Sequence, residues 1–255
     1  MAPLVDDVLG LVAEAVKGDK HSLRDASLVC RTWKVVFQRA LFSRVDLQTT
    51  TSLQRFLDSI TDSPHLSSLV HSLRLSHCFH RRTGPSVHVL CRLGGLRELR
   101  LVEHRFDQNR TAIDPGETAR LLSGFSPLKL THLRLAWVSC FPAAVLSNCV
   151  NLTHLFLEGC SFGDLDLIRK RSLPNKPPRY LSLRSLSLLH WDQDDFVSWL
   201  AEPSCFLRLD ELQQLGASAR NDLDRYHPMI CRLVSLVAKS IHTLRLQPTD
   251  NGNVA

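Results

Sequence analysis

Apolar residues recur along most of the chain in the spacing Leu-x-x-Leu-x-Leu, with polar residues at the intervening positions. The clearest copy spans residues 152–160, which read Leu-Thr-His-Leu-Phe-Leu-Glu-Gly-Cys. Its central Leu-Phe-Leu alternates as a short strand with one buried face does. Related copies begin at Val70, Leu96, Leu130, Leu183 and Ile241, and a degenerate copy reads Leu209-x-x-Leu212-x-x-Leu215.

The distances between copies favour a repeat architecture over a leucine-rich helical protein. The second apolar position falls at residues 73, 99, 133, 155, 186, 212 and 244, which gives steps of 26, 34, 22, 31, 26 and 32 residues. These steps lie within or just beyond the roughly 20–29 residues of leucine-rich repeats. The pattern therefore predicts an α/β fold, an irregular leucine-rich-repeat solenoid with parallel strands on its concave face and helices on its convex face.

The first 47 residues do not follow this spacing and predict three short helices. Apolar residues on one side of 8–16 indicate the first helix, which Gly18 and Asp19 end. A second amphipathic segment runs from Ser22 to Cys30, and a third covers 33–41. Three helices of this size form a marginal core alone, so we expect a partner or the repeats to complete it.

Two runs in this region resemble an F-box. The opening Leu4-Val5-Asp6-Asp7-Val8-Leu9-Gly10-Leu11-Val12 resembles the start of that motif, although Val5 replaces its Pro and Asp7 its Glu. The run 27–33, Ser-Leu-Val-Cys-Arg-Thr-Trp, is similar to its second half and is the more specific match. An F-box followed by irregular repeats resembles the F-box/leucine-rich-repeat subunits of Skp–cullin–F-box ubiquitin ligases, here of a divergent type.

The resemblance implies a non-catalytic receptor. The F-box of that family binds a Skp-type adaptor and through it cullin, while the repeats select a protein for ubiquitination and ubiquitin-dependent degradation. The implied domains are the F-box at 1–47, a linker helix at 48–64, the solenoid at 65–250 and a tail at 251–255. The implied adaptor-binding residues are Leu4, Val5, Asp7, Val8, Leu9, Leu28, Val29, Cys30 and Trp33.

The strands also predict a substrate surface. In Leu-x-Leu both leucines point into the solenoid, so the residue between them faces the concave side. We predict that Arg74, Arg100 and Arg134 form a basic stripe for an acidic or phosphorylated segment, ending at Phe156, with Arg245 further along. Glu98 lies beside this stripe and is able to neutralise part of it. A solvated, salt-bridged face is the alternative.

Composition and charge limit the classes of protein to which the chain can belong. The chain has 44% hydrophobic and 22% charged residues, which is typical of globular proteins. Its 31 basic and 25 acidic residues give a net charge of +6, too diffuse to indicate nucleic acid by itself. Residues 135–157 carry no formal charge, but repeat strands occupy both ends, so we expect no membrane contact.

The cysteines and the missing motifs exclude several functions. The acidic N-terminus is unlike a secretory signal, so the eight Cys are expected to be reduced and the protein cytoplasmic or nuclear. No phosphate loop, nucleophile elbow, Cys-x-x-Cys or His-Glu-x-x-His occurs, so we expect no catalytic residue, metal or cofactor.

Two alternatives to a ligase receptor remain: a non-degradative interaction scaffold, and an RNA-binding repeat protein. The basic segment 169–179 is either a solvated loop or a nuclear-import signal.

Helices are predicted in several of the segments that connect the strands. Apolar positions with helical spacing follow most of the predicted strands, and they favour packing against the interior of the repeats. The predicted segments are 86–93, 115–125, 143–149 and 194–201, together with a helix opened by Pro228.

Overall fold

The computed structural model describes residues 3–76, 93–102, 129–170, 180–191, 194–219 and 223–246. Three N-terminal helices lead directly into a parallel sheet, and the connections between its strands include further helices and 3-10 turns. The fold is therefore α/β, as the alternation of strand and helix patterns predicts.

The N-terminal helical unit consists of α1 (Pro3–Ala15), α2 (Lys20–Ala26) and α3 (Arg31–Ser43). Asp19 caps α2, because its carboxylate accepts the backbone N–H groups of His21 and Ser22 at 3.0 and 3.3 Å. Both α1 and α2 pack against α3. Their shared core is small and consists of Leu9, Ala13, Leu23 and Phe37.

The predicted second helix is too long at its C-terminal end. It stops at Ala26, and Ser27 follows as the C-cap, with its hydroxyl donating to the carbonyl of Arg24 at 2.6 Å. A serine hydroxyl that binds the preceding turn competes with further helical hydrogen bonds. Leu28, Val29 and Cys30 therefore lie in the turn between α2 and α3.

A fourth helix, α4 (Thr50–Asp62), lies within the segment predicted to connect the two parts. Thr49 and Ser52 form a reciprocal capping box at its N-terminus, which satisfies two otherwise unpaired backbone N–H groups. Its buried residues recur three and four positions apart and join the core of the sheet: Leu53, Phe56, Leu57 and Ile60.

Eight parallel strands of the described residues form one sheet, and its strand order follows the chain. Its members are β1 (Arg44–Leu47), β2 (Ser72–Ser76), β3 (Glu98–Val102), β4 (His132–Ala136), β5 (His154–Glu158), β7 (Ser185–Trp191), β9 (Gln214–Ala219) and β10 (Thr243–Leu246). Two short strands, β6 (Leu181–Ser182) and β8 (Leu207–Arg208), pair separately.

The predicted alternation of the strands is confirmed. From β2 to β7, both leucines of every Leu-x-Leu are at most 2% exposed. Complete burial of each stabilises the fold by about 1.5–3 kcal/mol relative to exposure. The residues between them remain accessible on the opposite face of the sheet: Arg74, Arg100, Arg134, Phe156 and Ser187.

A repeated backbone contact keeps successive strands in register. The carbonyl of His71 accepts the N–H groups of both Arg97 and Glu98, at 2.8 and 2.9 Å. In the same way, the carbonyl of Arg97 accepts the N–H groups of two consecutive residues at the start of β4, and the carbonyl of Thr131 accepts those of two consecutive residues at the start of β5. Equivalent residues of successive repeats are therefore aligned across the sheet, one strand spacing apart.

Two details of the sheet differ from the prediction. β1 belongs to the sheet although it lies at the end of the predicted N-terminal domain, because Val45 and Leu47 pair with Leu73 and Leu75. The degenerate repeat is also shifted, since Leu215 pairs with Leu186 of the preceding repeat. Its correct reading is Leu212-x-x-Leu215-x-Ala217, with all three residues buried.

The connectors are partly as predicted. Residues 143–148 form a 3-10 helix, α5 (Leu165–Lys170) follows β5, and α6 (Asp194–Leu200) follows β7.

The last helix, α7 (Leu223–Val237), begins before Pro228 and contains it, so the prediction that Pro228 opens this helix is wrong. The helix accommodates the proline by forgoing one backbone hydrogen bond. The predicted segments 86–93 and 115–125, with most of the basic segment 169–179, lie outside the described residues.

Buried thiols contribute to the sheet core. Cys149, Cys160 and Cys205 are buried, and burial raises the pKa of their thiols to about 11, about 11 and about 12. Among the described residues, Cys30, Cys140, Cys149, Cys160 and Cys205 are free thiols. Within the same residues, no helix has the length and apolar character needed to cross a membrane.

Candidate partner-binding surfaces

The turn between α2 and α3 presents apolar side chains to solvent. Leu28 is 76% exposed and Val29 is 65% exposed, although both residues are large and hydrophobic. Cys30, the N-cap residue of α3, is also exposed. The predicted adaptor-binding residues of this run therefore lie at the surface and are available for contact.

Helix α1 has two apolar faces, and only one of them is covered. Successive residues of a helix are about 100° apart, so Leu9 and Ala13 share the face that packs in the helical core. Val8, Leu11 and Val12 share a different face and are 52%, 72% and 41% exposed. This second face has no covering element among the described residues.

The structure separates the predicted adaptor residues into two groups. Leu9 is buried, and Trp33 packs on the same helical core with its ring stacked 5.2 Å from that of Phe37. These two residues support the helical unit from inside. Val8, Leu28, Val29 and Cys30 lie at the surface, as does Asp7, while Leu4 and Val5 lie in the first turn of α1.

Leu11 and Val12 belong to the opening run of the predicted F-box and lie exposed beside Val8 along one side of α1. Val35 is an exposed apolar residue of the helical unit that neither run of the motif contains. Val35 is 69% exposed in α3 and faces a different surface, a cleft shared with the sheet.

The face of the sheet that bears Arg74, Arg100, Arg134 and Phe156 is here called the arginine face. These residues are direct register partners on four neighbouring strands, β2 to β5. The row continues through Ser187 and Gly216 to Arg245 on the edge strand β10. The prediction that the first three arginines align is therefore confirmed, whereas Arg245 lies at the far edge of the sheet.

Each of the three aligned arginines has a carboxylate partner on the same face. Arg74 lies 3.7 Å from Asp46, and Arg134 lies 3.2 Å from Glu158. Nε of Arg100 donates to Glu98 at 2.6 Å. The arginine face is therefore a mixed-charge surface, and an incoming anion competes with three carboxylates for the same guanidinium groups.

Glu98 is held in its charged form. Burial raises the pKa of its carboxyl, but hydrogen bonds from Arg100 and Ser72 and the charge of Arg100 outweigh burial. Its pKa therefore lies below the ordinary glutamate value. This carboxylate remains ionised under physiological conditions and permanently offsets the charge of Arg100.

Aromatic groups lie between the charged residues of this face. The guanidinium of Arg134 is 4.0 Å from the centroid of the Phe156 ring, a cation–π contact. The rings of His132 and His154 stack with centroids 4.0 Å apart. Burial lowers the pKa of His154, and the nearby charges of His132 and Arg184 lower it further.

These groups surround a shallow depression of about 200 Å3 on the arginine face. Its walls combine both histidine rings and Phe156 with the hydroxyl groups of Ser185 and Ser187. Such a mixture of flat apolar surface and hydrogen-bonding groups suits one or two side chains of a bound protein segment. Among the described residues, no group of three or more His, Cys, Asp or Glu has the geometry to hold a metal ion.

Comparison with known proteins identified no relative of this chain. No protein-family model, curated protein sequence or solved structure matched this chain.

Proposed function

We propose that the protein is a substrate-receptor subunit of a Skp–cullin–F-box ubiquitin ligase. In this proposal the N-terminal helical unit is a divergent F-box that binds a Skp-type adaptor. The sheet and its connectors form an irregular leucine-rich-repeat solenoid whose concave arginine face binds the protein to be ubiquitinated. The chain itself performs no catalysis, and its role is to hold one protein near another.

The exposed apolar surface of the helical unit is the observation that carries this proposal. Among the described residues, six of the ten large hydrophobic side chains that are most exposed lie within the first 47 residues. Exposed apolar groups concentrated in one small unit indicate a protein interface. Five of them, Val8, Leu11, Val12, Leu28 and Val29, form the proposed adaptor surface, whereas the sixth, Val35, faces the cleft with the sheet.

The connection between the two parts suits a receptor. Helix α3 ends at Ser43 and β1 begins at Arg44, so no flexible segment separates the helical unit from the sheet. The carbonyl of Ser43 also accepts the N–H of His71 at 3.1 Å, which ties the end of α3 to the following repeat. An adaptor bound to the helices is thereby held in a defined orientation relative to a substrate bound to the sheet.

The substrate surface is proposed on the arginine face, where an acidic or phosphorylated segment remains the predicted ligand. The arginines are 41–46% exposed, and exposed ion pairs are worth only about 0–1 kcal/mol each. A carboxylate or phosphate that binds a guanidinium in bidentate fashion is able to displace such a partner. The same ion pairs disfavour the RNA-binding alternative, because they leave little net charge to attract a phosphate backbone.

The proposal is tested by adaptor binding to the full chain. Replacing both Leu28 and Val29 with Asp is expected to weaken binding to a purified Skp-type adaptor by at least about a hundredfold. Apolar residues at an interface centre contribute about 2 kcal/mol or more each, and 1.4 kcal/mol corresponds to a factor of ten. Isothermal titration calorimetry measures the affinity.

The matched control is Val35→Asp. It makes the same apolar-to-acidic change in the same helical unit, at a side chain that is 69% exposed but faces the cleft with the sheet. This variant is expected to bind the adaptor with wild-type affinity. Equal affinity of the wild type and the Leu28/Val29 variant contradicts the proposal. Adaptor binding without recruitment of cullin supports the scaffold alternative instead.

A further inference from the structure

A cleft of about 1050 Å3 lies between the helical unit and the sheet. One wall is formed by the polar side of α1 and by α3, including Arg39 and Val35. The opposite wall is formed by the N-terminal ends of β1 to β4 and the residues just before them, including Arg44 and Arg97. Its volume is close to the upper end of small-molecule sites, which span about 300–1000 Å3.

The backbone fixes where the three arginines of this cleft stand. The N–H of His71 binds the carbonyl of Ser43, and the N–H of Arg97 binds the carbonyl of His71 at 2.8 Å. Arg44 and Arg97 therefore lie two strand spacings apart, about 10 Å. Arg39 precedes Ser43 by one turn of α3, so it approaches the same end of the sheet from the helical side.

The charges of this cleft are not balanced internally. Over the described ranges, Arg39, Arg44 and Arg97 make no ion pair, in contrast to the three aligned residues of the arginine face. Two of the carboxylates that line the cleft are already engaged, since Glu14 pairs with Lys17 at 2.8 Å and Glu98 with Arg100. Asp7 is the third carboxylate of the lining. Three guanidinium groups thus face one uncommitted carboxylate.

Guanidinium groups select phosphate oxygens. Arg presents a planar set of N–H donors that binds two phosphate oxygens at once, and it stays charged at any physiological pH. The cleft, at about 1050 Å3, has room for an anion larger than a single phosphoryl group. An anion that carries two or more phosphoryl groups satisfies all three.

We propose that this cleft binds a small, multiply phosphorylated anion, with Arg39 on one side and Arg44 and Arg97 on the other. The ligand contacts both the helical unit and the sheet, so its binding stabilises the junction between them. This site is separate from the exposed apolar surface proposed for the adaptor, and it does not depend on that assignment.

Inorganic tripolyphosphate is a suitable probe for the full chain. It is expected to raise the melting temperature by about 5 °C at a hundred times its Kd. Pyrophosphate is expected to have a smaller effect and orthophosphate the smallest, because fewer arginines are engaged. Sodium sulfate at matched ionic strength controls for screening and general salt effects.

The variant Arg39→Gln/Arg97→Gln is expected to weaken tripolyphosphate binding at least tenfold, measured by calorimetry. Arg55→Gln is the matched control, since Arg55 is an exposed arginine of α4 outside the lining of the cleft, and it should leave the Kd unchanged. The single variant Arg44→Gln serves as a second test if the double variant unfolds, with a loss of about threefold or more. Adaptor affinity should be unchanged in all of them.

Three results overturn the proposal. The first is an equal temperature shift in sulfate at the same ionic strength. The second is a wild-type Kd in the cleft variants. The third is a clear preference for a phosphoserine peptide over tripolyphosphate, which assigns the cleft to a protein segment instead of a small anion.

Discussion

Gly159→Ala is expected to lower the free energy of unfolding by about 2–4 kcal/mol. Gly159 has φ of +57°, a left-handed conformation that costs an L-residue about 1–2 kcal/mol. A Cβ atom there would also stand 2.2 Å from two carbons of the Trp137 ring, which has to move. Such overpacking costs a further 1–3 kcal/mol or so. Denaturant unfolding followed by circular dichroism measures the change.

Gly10→Ala is the matched control and should change stability in the opposite direction. Gly10 lies inside α1, and a Cβ atom added there meets nothing within 4 Å. Alanine is favoured over glycine in a helix interior by about 0.5–1 kcal/mol, so this variant should be slightly more stable. Similar small effects of both substitutions would show that Trp137 does not pack over Gly159 as described.

Leu157→Ala should destabilise the sheet by about 2–5 kcal/mol. Leu157 is fully buried at the second leucine of the central Leu-x-Leu. Its loss leaves a cavity between repeats on both sides, and partial collapse does not fill it. Urea titration with tryptophan fluorescence measures this change.

Leu246→Ala provides a comparison at the equivalent leucine of the edge strand. Leu246 is 56% exposed, because β10 has a strand neighbour on one side only within the described part of the chain. Its truncation removes little buried area and should cost less than about 1 kcal/mol. Equal losses for the two variants would contradict the assignment of Leu157 to the continuous sheet core.

The spacing of leucines predicted the strands because one burial rule applies in every repeat. Leu73, Leu99 and Leu133 each pair with the equivalent residue of the next strand, so a local pattern encodes the register of the sheet. β1 escaped prediction because Phe42 and Val45 replace the first two leucines, although Phe42-x-x-Val45-x-Leu47 keeps the apolar spacing and all three residues pack with the sheet core.

The ion pairs of the arginine face depended on contacts that a linear sequence does not reveal. Arg134 meets Glu158, 24 residues away, and Arg74 meets Asp46 on the strand before it. Only Glu98 lies close enough in sequence to Arg100 for their contact to be anticipated. The prediction therefore identified the aligned arginines and the neutralising role of Glu98, but not the ion pairs with Asp46 and Glu158.

The exposure of the proposed adaptor residues was predicted in part, for a related reason. A motif identifies residues without stating which of them point inward, and α1 carries apolar residues on two faces. Leu9 and Trp33 turned out to support the helical core, whereas Leu28 and Val29 lie at the surface. The packing of α1 and α2 against α3 determines which of these residues are buried, and that packing is a property of the folded unit.

Hydrogen–deuterium exchange of the full chain, with and without a purified Skp-type adaptor, tests the central proposal most directly. Slower amide exchange is expected in α1 and in the turn at residues 27–30, with no change in β2 to β7. Protection confined to the strands of the arginine face, or no protection in the presence of excess adaptor, would contradict the assignment of the helical unit as an F-box.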